Sequence, residues 1–242
     1  RSCHANYGSA IYAEGHYTKV VNSTFTHNNA TEDGGAVYVS GDYSELHNST
    51  FTYNIAGDDG GAIYWGGDYG TINNITCENN KGISLEDSNS NGGTICITGN
   101  DIALSDSTFK NSSAVAYGGA IYVTGNRVSI ETSEFETCNS TTQGGAIYVL
   151  GNQTVISDCT FEDCNGTQGG AIYVEGNDVT ISANITDTHA LGEDSYGITV
   201  DYKFYKDVIK VVKREIDSMI AYFENMGNET ISDADMKKIN KD

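Results

Sequence analysis

"GGAIYVLGNQTVISDCTFEDCNGTQ", residues 144–168, is followed at once by a near copy of itself, "GGAIYVEGNDVTISANIT", residues 169–186. Aligned on its first glycine, the phrase occurs seven times. Successive copies are 25 or 26 residues apart, except for one interval of 32. A fixed period of this length indicates a repeat architecture. The copies begin at Gly8, Gly34, Gly60, Gly92, Gly118, Gly144 and Gly169.

The pattern inside each copy favours strands. Ile147 and Val149 alternate with Ala146 and Tyr148, a Gly-Asn or Gly-Asp turn follows, and a second alternating run ends in a Thr-Phe pair. Alternation with period 2 and β-branched side chains are typical of strands, and no copy has the helical period. Three short strands and three corners in each copy describe one coil of a parallel β-helix. We therefore predict an all-β solenoid of about seven coils.

Stacked coils place equivalent residues directly above one another, so the sequence predicts columns of like residues. Two inward columns are aliphatic and a third is mostly phenylalanine. A corner column begins with three asparagines, whose amides can hydrogen-bond from coil to coil. The first aliphatic column is Ile11, Val37, Ile63, Ile95, Ile121, Ile147 and Ile172. The second is Val20, Leu46, Ile72, Leu104, Ile130 and Ile156. The aromatic column is Phe25, Phe51, Cys77, Phe109, Phe135 and Phe161, and the corner column is Asn28, Asn54, Asn80, Ser112, Cys138 and Cys164.

The negative charge is concentrated in the repeats. Residues 1–200 hold 24 Asp and Glu against 5 Lys and Arg, whereas residues 201–242 hold 9 acidic and 8 basic residues. Such an acidic body argues against nucleic acid or anionic lipid as a partner. Proline is absent, which fits a backbone whose N–H groups are nearly all hydrogen-bonded.

The repeats end near residue 200, so we expect a parallel β-helix over 1–200 and a helical capping segment over 201–242. Seven apolar residues from about 202 to 226 share one face at helical spacing. A C-terminal α-helical cap would cover the open strand edges of the last coil; alternatively, its apolar face binds another chain or a downstream domain. These apolar residues are Phe204, Val208, Val211, Val212, Met219, Ile220 and Phe223.

The amino end shows no comparable cap, and Arg1 falls inside a repeat. We therefore expect a piece of a longer protein, with further coils or domains of the same protein at its N-terminal end. No apolar run is long enough to cross a bilayer, so no direct membrane insertion by this fragment is expected.

Two short motifs carry a family resemblance. GGA-[Ile/Val] occurs with Phe-x-x-Asn at Phe25–Asn28 and Phe51–Asn54, and residues 22–41 read "NSTFTHNNATEDGGAVYVSG". These repeats resemble those of chlamydial polymorphic membrane proteins and of adhesin-like proteins of methanogenic archaea. The resemblance covers about residues 3–196 and implies a surface-exposed parallel β-helix used in adhesion. Together with the usual crossover preference, it also implies a right-handed coil.

Tyrosines are the main candidates for ligand binding. Alternation places one tyrosine column outside if the isoleucine column faces inward, and a second column follows the Gly-Asn corner in the first three coils only. Tyrosine offers flat apolar area with a polar tip, which suits sugars and proteins alike. Stacked aromatics also stabilise a β-helix without any ligand. The candidates are Tyr12, Tyr38 and Tyr64 in the first column, Tyr17, Tyr43 and Tyr69 in the second, and the single tryptophan, Trp65.

Four acidic residues before consecutive glycine pairs are the candidate calcium ligands: Glu32, Asp33, Asp58 and Asp59. Adjacent coils bring them together, and like charges so close repel unless a cation binds; the alternative is a solvated acidic edge. No other cofactor is expected. The lysines and arginines of the repeats form no cationic groove and the carboxylates form no clear glycosidase pair, so we do not expect an enzyme.

Two covalent features are also predicted. Cys138 and Cys164 occupy one corner column on adjacent coils, and the coil spacing permits either a disulfide or a ladder of reduced thiols. Asn22, Asn48 and Asn74 begin Asn-x-Ser/Thr motifs in one outward corner column. They are candidate glycosylation sites if the protein is exported.

The sequence thus predicts an extracellular, cell-surface adhesin-like binding module. Its partner would be a glycan or a protein on a neighbouring cell. The alternatives are a structural surface spacer or filament subunit without ligand, and third, a carbohydrate-active enzyme.

Overall fold

The computed structural model describes residues 3–84, 90–190 and 197–200. These residues form 26 strands and no helix, so none of them belongs to a helix that could span a membrane. The chain divides into two units, Arg1–Lys210 and Val211–Asp242. The predicted helical segment over 201–242 and its apolar face lie outside the described residues.

The strands form three parallel sheets that run along the coils, and each strand pairs with its counterpart in the next coil. Sheet A contains His4–Ala5, Asn29–Ala30, Ile55–Ala56, Lys81–Gly82, Ser113–Ala114, Asn139–Ser140, Asn165–Gly166 and His189–Ala190. Sheet B contains Ile11–Ala13, Val37–Val39, Ile63–Trp65, Ile95–Ile97, Ile121–Val123, Ile147–Val149, Ile172–Val174 and Ile198–Val200. Sheet C contains Lys19–Val21, Thr24–Thr26, Glu45–Thr52, Thr71–Glu78, Ala103–Ser105, Thr108–Lys110, Ser129–Glu131, Glu134–Glu136, Val155–Glu162 and Thr180–Thr186.

The strand register confirms the predicted columns. Ile95 pairs with Ile63 and Ile121 in sheet B, and Phe51 pairs with Phe25 in sheet C. Both aliphatic columns and the phenylalanine column lie inside, where nearly all of their members are buried. Neighbouring phenylalanine rings stack with centroids 4.7 to 4.9 Å apart. The core is therefore a set of parallel ladders of like side chains.

The first six coils each turn at four residues with left-handed backbone, and the last coil at three, because the column that begins with Asn22 ends at Asp158. These residues also form columns. One column is the repeat glycine, and the other three hold non-glycine residues with φ between 49 and 59°. The N–H at each position points along the rod. In the first coil the N–H groups of Tyr17, Asn22 and His27 donate to carbonyl oxygens of the second coil at 2.8 to 3.1 Å. The turns therefore bond adjacent coils as the strands do.

Two side-chain ladders complete the corners. The predicted asparagine ladder is confirmed: Asn28 donates to Asn54 at 2.9 Å, and Asn54 donates to Asn80 at 3.0 Å. A second ladder lies at the Gly-Asp and Gly-Asn corner, where the side-chain oxygen of one member accepts the backbone N–H of the next. Its members are Asp42, Asp68, Asn100, Asn126, Asn152 and Asn177.

Trp65 corrects one prediction, because it lies in the core and not on the binding face. It is 1% exposed and takes the inward position that Val39 and Ile97 occupy in the coils on either side. The larger ring fits because Gly70 stands opposite. A Cβ on Gly70 would lie 2.8 Å from Trp65 Cε2, closer than real side chains approach. Trp65 and Gly70 are thus a matched pair.

We expect Gly70→Ser to destabilise the protein by about 1–3 kcal/mol, because overpacking displaces a buried ring. Trp65→Val alone leaves a cavity and costs about 3 kcal/mol or more. The double variant reproduces the Val39 and Ser44 pair of the second coil, so we expect it to be clearly more stable than the sum of the two changes predicts. Urea unfolding of all four proteins measures this coupling, and additive effects would contradict the pairing.

Candidate functional site

Among the residues that the structure describes, three tyrosines form the most exposed aromatic ladder. Tyr17, Tyr43 and Tyr69 are 69%, 47% and 51% exposed, and their rings stack with centroids 5.3 and 4.9 Å apart. Each ring covers a face of its neighbour, so the middle ring offers its edge and hydroxyl and not its faces. The ladder is a narrow strip of ring edges and phenol groups along the rod.

These tyrosines occupy the column of left-handed residues at the start of sheet C. That conformation costs an ordinary L-residue about 1–2 kcal/mol, and asparagine, aspartate and glycine tolerate it best. The later coils place polar residues at this position: Asp101, Arg127, Gln153 and Asp178. Bulky tyrosine is therefore not what the turn requires. Residues that are held against backbone preference often mark functional sites.

A second exposed aromatic pair, His27 and Tyr53, was not predicted as a site. It lies in the left-handed column at the end of sheet C, and the two rings stack at 5.0 Å. Tyr53 is 51% exposed. The sequence signal was available, since both residues stand directly before the corner asparagines, Asn28 and Asn54.

The tyrosine column of sheet B is exposed at one end only. Tyr12 is 52% exposed, Tyr38 and Tyr64 are half-buried, and their rings stack at 5.0 and 4.7 Å. The same column continues through Tyr122, Tyr148 and Tyr173. Tyr148 and Tyr173 are 5% and 3% exposed, so the expectation that alternation places the whole column outside as a ladder is wrong. The exposed ring of this column is therefore the one in the first coil, Tyr12.

Three of the four predicted calcium ligands come together. Carboxylate oxygens of Asp33, Asp58 and Asp59 lie within 4.8 Å of one another. Glu32 does not join this group, because its carboxylate accepts the hydrogen bond of the Tyr7 hydroxyl instead. Asp33 Oδ1 already accepts the Asp59 N–H at 3.1 Å, which leaves fewer oxygen lone pairs for an ion.

Burial raises the pKa of both Asp33 and Asp59 to about 6, and the neighbouring charge on Asp58 adds to each shift. Backbone hydrogen bonds act in the opposite direction, from Asp59 to Asp33 and from Asn91 to Asp59. Burial also raises the pKa of Asp58, with repulsion from Glu32. Above pH 6 the group is a crowded set of partly desolvated anions.

Cys138 and Cys164 lie in the structure as free, buried thiols, which is the reduced-ladder alternative; the disulfide between them stays a prediction. Each donates to a phenylalanine carbonyl of the previous coil, at 3.6 Å for Cys138 and 3.7 Å for Cys164. Asn54 makes the same bond to the Phe25 carbonyl at 3.1 Å. Cysteine therefore takes the place of asparagine in the corner ladder, and this bond needs a reduced thiol.

The three candidate glycosylation sites are exposed on sheet C, as predicted. Asn22, Asn48 and Asn74 form the third left-handed column, in the middle of the coil face. The Asn74 amide donates to Asn48 Oδ1 at 2.8 Å. They lie between the Tyr17 ladder and the His27–Tyr53 pair, so a glycan here would stand beside both aromatic groups.

The family described as right handed beta helix region matches residues 88–218, more than half of the 242 residues. The chain belongs to the right-handed β-helix family. Its coils are therefore right-handed, as predicted. The repeat of Chlamydia polymorphic membrane proteins matches residues 22–40 and 48–64, which confirms that resemblance for these two segments. No curated protein and no solved structure matches the chain.

The two matched repeat segments lie in the first three coils. The exposed tyrosine ladders and the three clustered carboxylates lie in the same coils. The first three coils are thus where the candidate site is concentrated among the described residues.

Asp33 and Asp59 should make the protein less stable as pH rises from about 4 to about 6. Their folded pKa lies above the unfolded value, so over this range the folded state binds more protons and unfolding becomes easier as they leave. We expect Asp33→Asn and Asp59→Asn to flatten this fall and to stabilise the protein at pH 7. The amide oxygen can keep the backbone hydrogen bond.

Urea midpoints at a series of pH values from 4 to 7.5 measure the effect. Asp158→Asn with Asp163→Asn is the matched control, since both carboxylates are exposed on another face. A wild-type midpoint that rises steadily with pH would contradict the prediction.

Thiol labelling checks the corner cysteines. Under native conditions we expect one cysteine, the exposed Cys3, to react quickly with iodoacetamide, because the other five are buried. After denaturation without reductant all six should react, and intact mass counts them. Four labels after denaturation, with Cys138 and Cys164 protected until reduction, would show the bridge instead.

Proposed function

We propose that this chain is a cell-surface, adhesin-like binding module that recognises a glycan or a protein on a neighbouring cell. The observation that carries the proposal is the exposed ladder of Tyr17, Tyr43 and Tyr69. These residues stand where the same backbone in later coils holds Asp, Arg or Gln. The right-handed β-helix and the polymorphic membrane protein repeats support a surface location.

The ladder's shape suits a linear ligand. Its hydroxyls and ring edges repeat about every 5 Å along the rod, so one extended chain could contact all three residues. Phenol groups exchange hydrogen bonds with sugar hydroxyls or with peptide groups, and the ring edges supply apolar contact. A glycan polymer is therefore the first ligand to test.

We propose binding and not catalysis, because the grouped carboxylates lie in the turn before sheet B and not beside this ladder. A structural spacer or filament subunit is the second candidate. A carbohydrate-active enzyme is the third. Saturable binding favours the adhesin, concentration-dependent assembly favours the filament, and release of reducing ends favours the enzyme.

The test is binding of the soluble protein to a panel of glycans and cell-wall polymers. The variant changes Tyr17, Tyr43 and Tyr69 to Asn. We expect binding to fall at least about tenfold. Stability should change by less than about 2 kcal/mol, because asparagine relieves the left-handed strain while the stacking is lost.

The matched control changes Asp101, Arg127 and Gln153 to Asn, which alters the same column in the later coils and should leave binding intact. Material from hosts with and without N-glycosylation shows whether glycans at Asn22, Asn48 and Asn74 block the ladder. Equal binding by the wild type and the tyrosine variant would remove the ladder from the proposal.

A further inference from the structure

A separate aromatic surface lies on the outer side of sheet B in the first two coils. The Tyr7 ring packs at an angle against the stacked rings of Tyr12 and Tyr38. Its ring centroid lies 6.3 Å from that of Tyr12 and 5.5 Å from that of Tyr38, at interplanar angles of 50° and 65°. Tyr7 and Tyr12 are 37% and 52% exposed. The three rings form an angled surface and not a flat stack.

Carboxylates border this surface on both sides. On one side the Tyr12 hydroxyl donates to Glu14 at 2.9 Å. On the other side the Tyr7 hydroxyl donates to Glu32, and the group of Asp33, Asp58 and Asp59 follows in the same turn and the next coil. Burial raises the pKa of the Tyr38 phenol, and the charges of Asp33 on one side and Glu14 on the other add to the shift.

No cation balances this charge among the described residues. Lys19 pairs with Glu45, Lys110 with Glu136 and Arg127 with Asp101, all away from this surface. Lys81, the remaining basic residue of the described repeats, begins a strand of sheet A with its side chain exposed. Burial and neighbouring carboxylates raise the pKa values of Asp33, Asp58 and Asp59, and no basic residue acts against them.

We propose that this face, formed by Tyr7, Tyr12 and Tyr38 with Glu14, Glu32 and Asp58 at its rim, binds an extended lysine- or arginine-rich segment of a partner protein. Aromatic rings attract ammonium and guanidinium groups through their faces. The rim carboxylates accept hydrogen bonds from the same groups. This inference does not rest on the Tyr17 ladder, since it uses different residues on a different sheet.

Charge complementarity selects this occupant. Carboxylates lie on both sides of the rings and in two successive coils, so a ligand with several positive charges neutralises more of them than a single ion does. A calcium ion would engage only Asp33, Asp58 and Asp59 and leave the rings unused. A quaternary ammonium has no N–H group to donate to the rim. Nucleic acid and anionic lipid are repelled.

The experiment measures fluorescence anisotropy of a labelled peptide that alternates lysine and serine, titrated with the whole chain. Its controls are the same peptide with acetylated lysines, tetramethylammonium and calcium as competitors. We expect the lysine peptide to bind and to weaken as salt rises. We expect the acetylated peptide not to bind.

Two charge variants locate the site. Glu14→Gln, Glu32→Gln and Asp58→Asn together should weaken binding at least about tenfold. The matched control, Glu131→Gln, Glu134→Gln and Glu162→Gln, removes the same charge from exposed positions on sheet C and should change binding less than about twofold. Tyr12→Thr should weaken binding several-fold with the charges intact. Circular dichroism confirms that each variant is folded.

Equal losses in the two charge variants would overturn the proposal, because net charge alone would then explain binding. Binding of the acetylated peptide would also overturn it. Calcium or tetramethylammonium would also overturn it if either displaced the labelled peptide at a lower concentration than the unlabelled lysine peptide requires. The glycan assay uses other probes and other variants, so either proposal can fail while the other stands.

Discussion

The rest of the structure depends on the left-handed backbone at equivalent positions of the coils, four in each of the first six. At these positions the N–H turns to point along the rod, as the Gly34 N–H does when it donates to the Asp59 carbonyl at 2.9 Å. A chain that bends at the same places in successive coils keeps its three sheets in register. It also brings identical positions into contact. The side-chain ladders of the core and corners follow from this constraint.

The four columns differ in the residue types that they accept, so the positions that fix the fold are not the positions that can vary. At Gly34 and its equivalents an added Cβ would collide with the backbone three residues on, so that column stays glycine. The other three columns point side chains outward and accept Asn, Asp, Thr, Gln, Arg, His or Tyr. The outward columns can therefore change between coils without changing the fold, and they do change after the third coil.

The 26-residue period was enough to predict the sheets, the inward columns and the asparagine ladder, because equal spacing makes equal neighbours in a stacked coil. It could not predict pairwise exceptions. Trp65 shares its position with Val39 and is inward by alternation, but only Gly70 five residues later shows that the ring fits. Glu32 was grouped with the aspartates from sequence proximity, whereas the side chain turns toward Tyr7.

The energetics of the turn support the proposal that the exposed tyrosines serve a ligand and not the fold. A tyrosine in left-handed backbone costs about 1–2 kcal/mol, and each stacked ring pair returns about 0.5–1.5 kcal/mol. Tyr17, Tyr43 and Tyr69 carry three such costs but form only two stacked pairs, so stacking offsets only part of the strain. Stability therefore does not favour tyrosine over asparagine at this corner. What does distinguish them is the strip of ring edges and phenol hydroxyls that tyrosine presents to solvent. A fold that tolerates many residues at a position, and holds the strained one in three successive coils, points to a contact outside the chain.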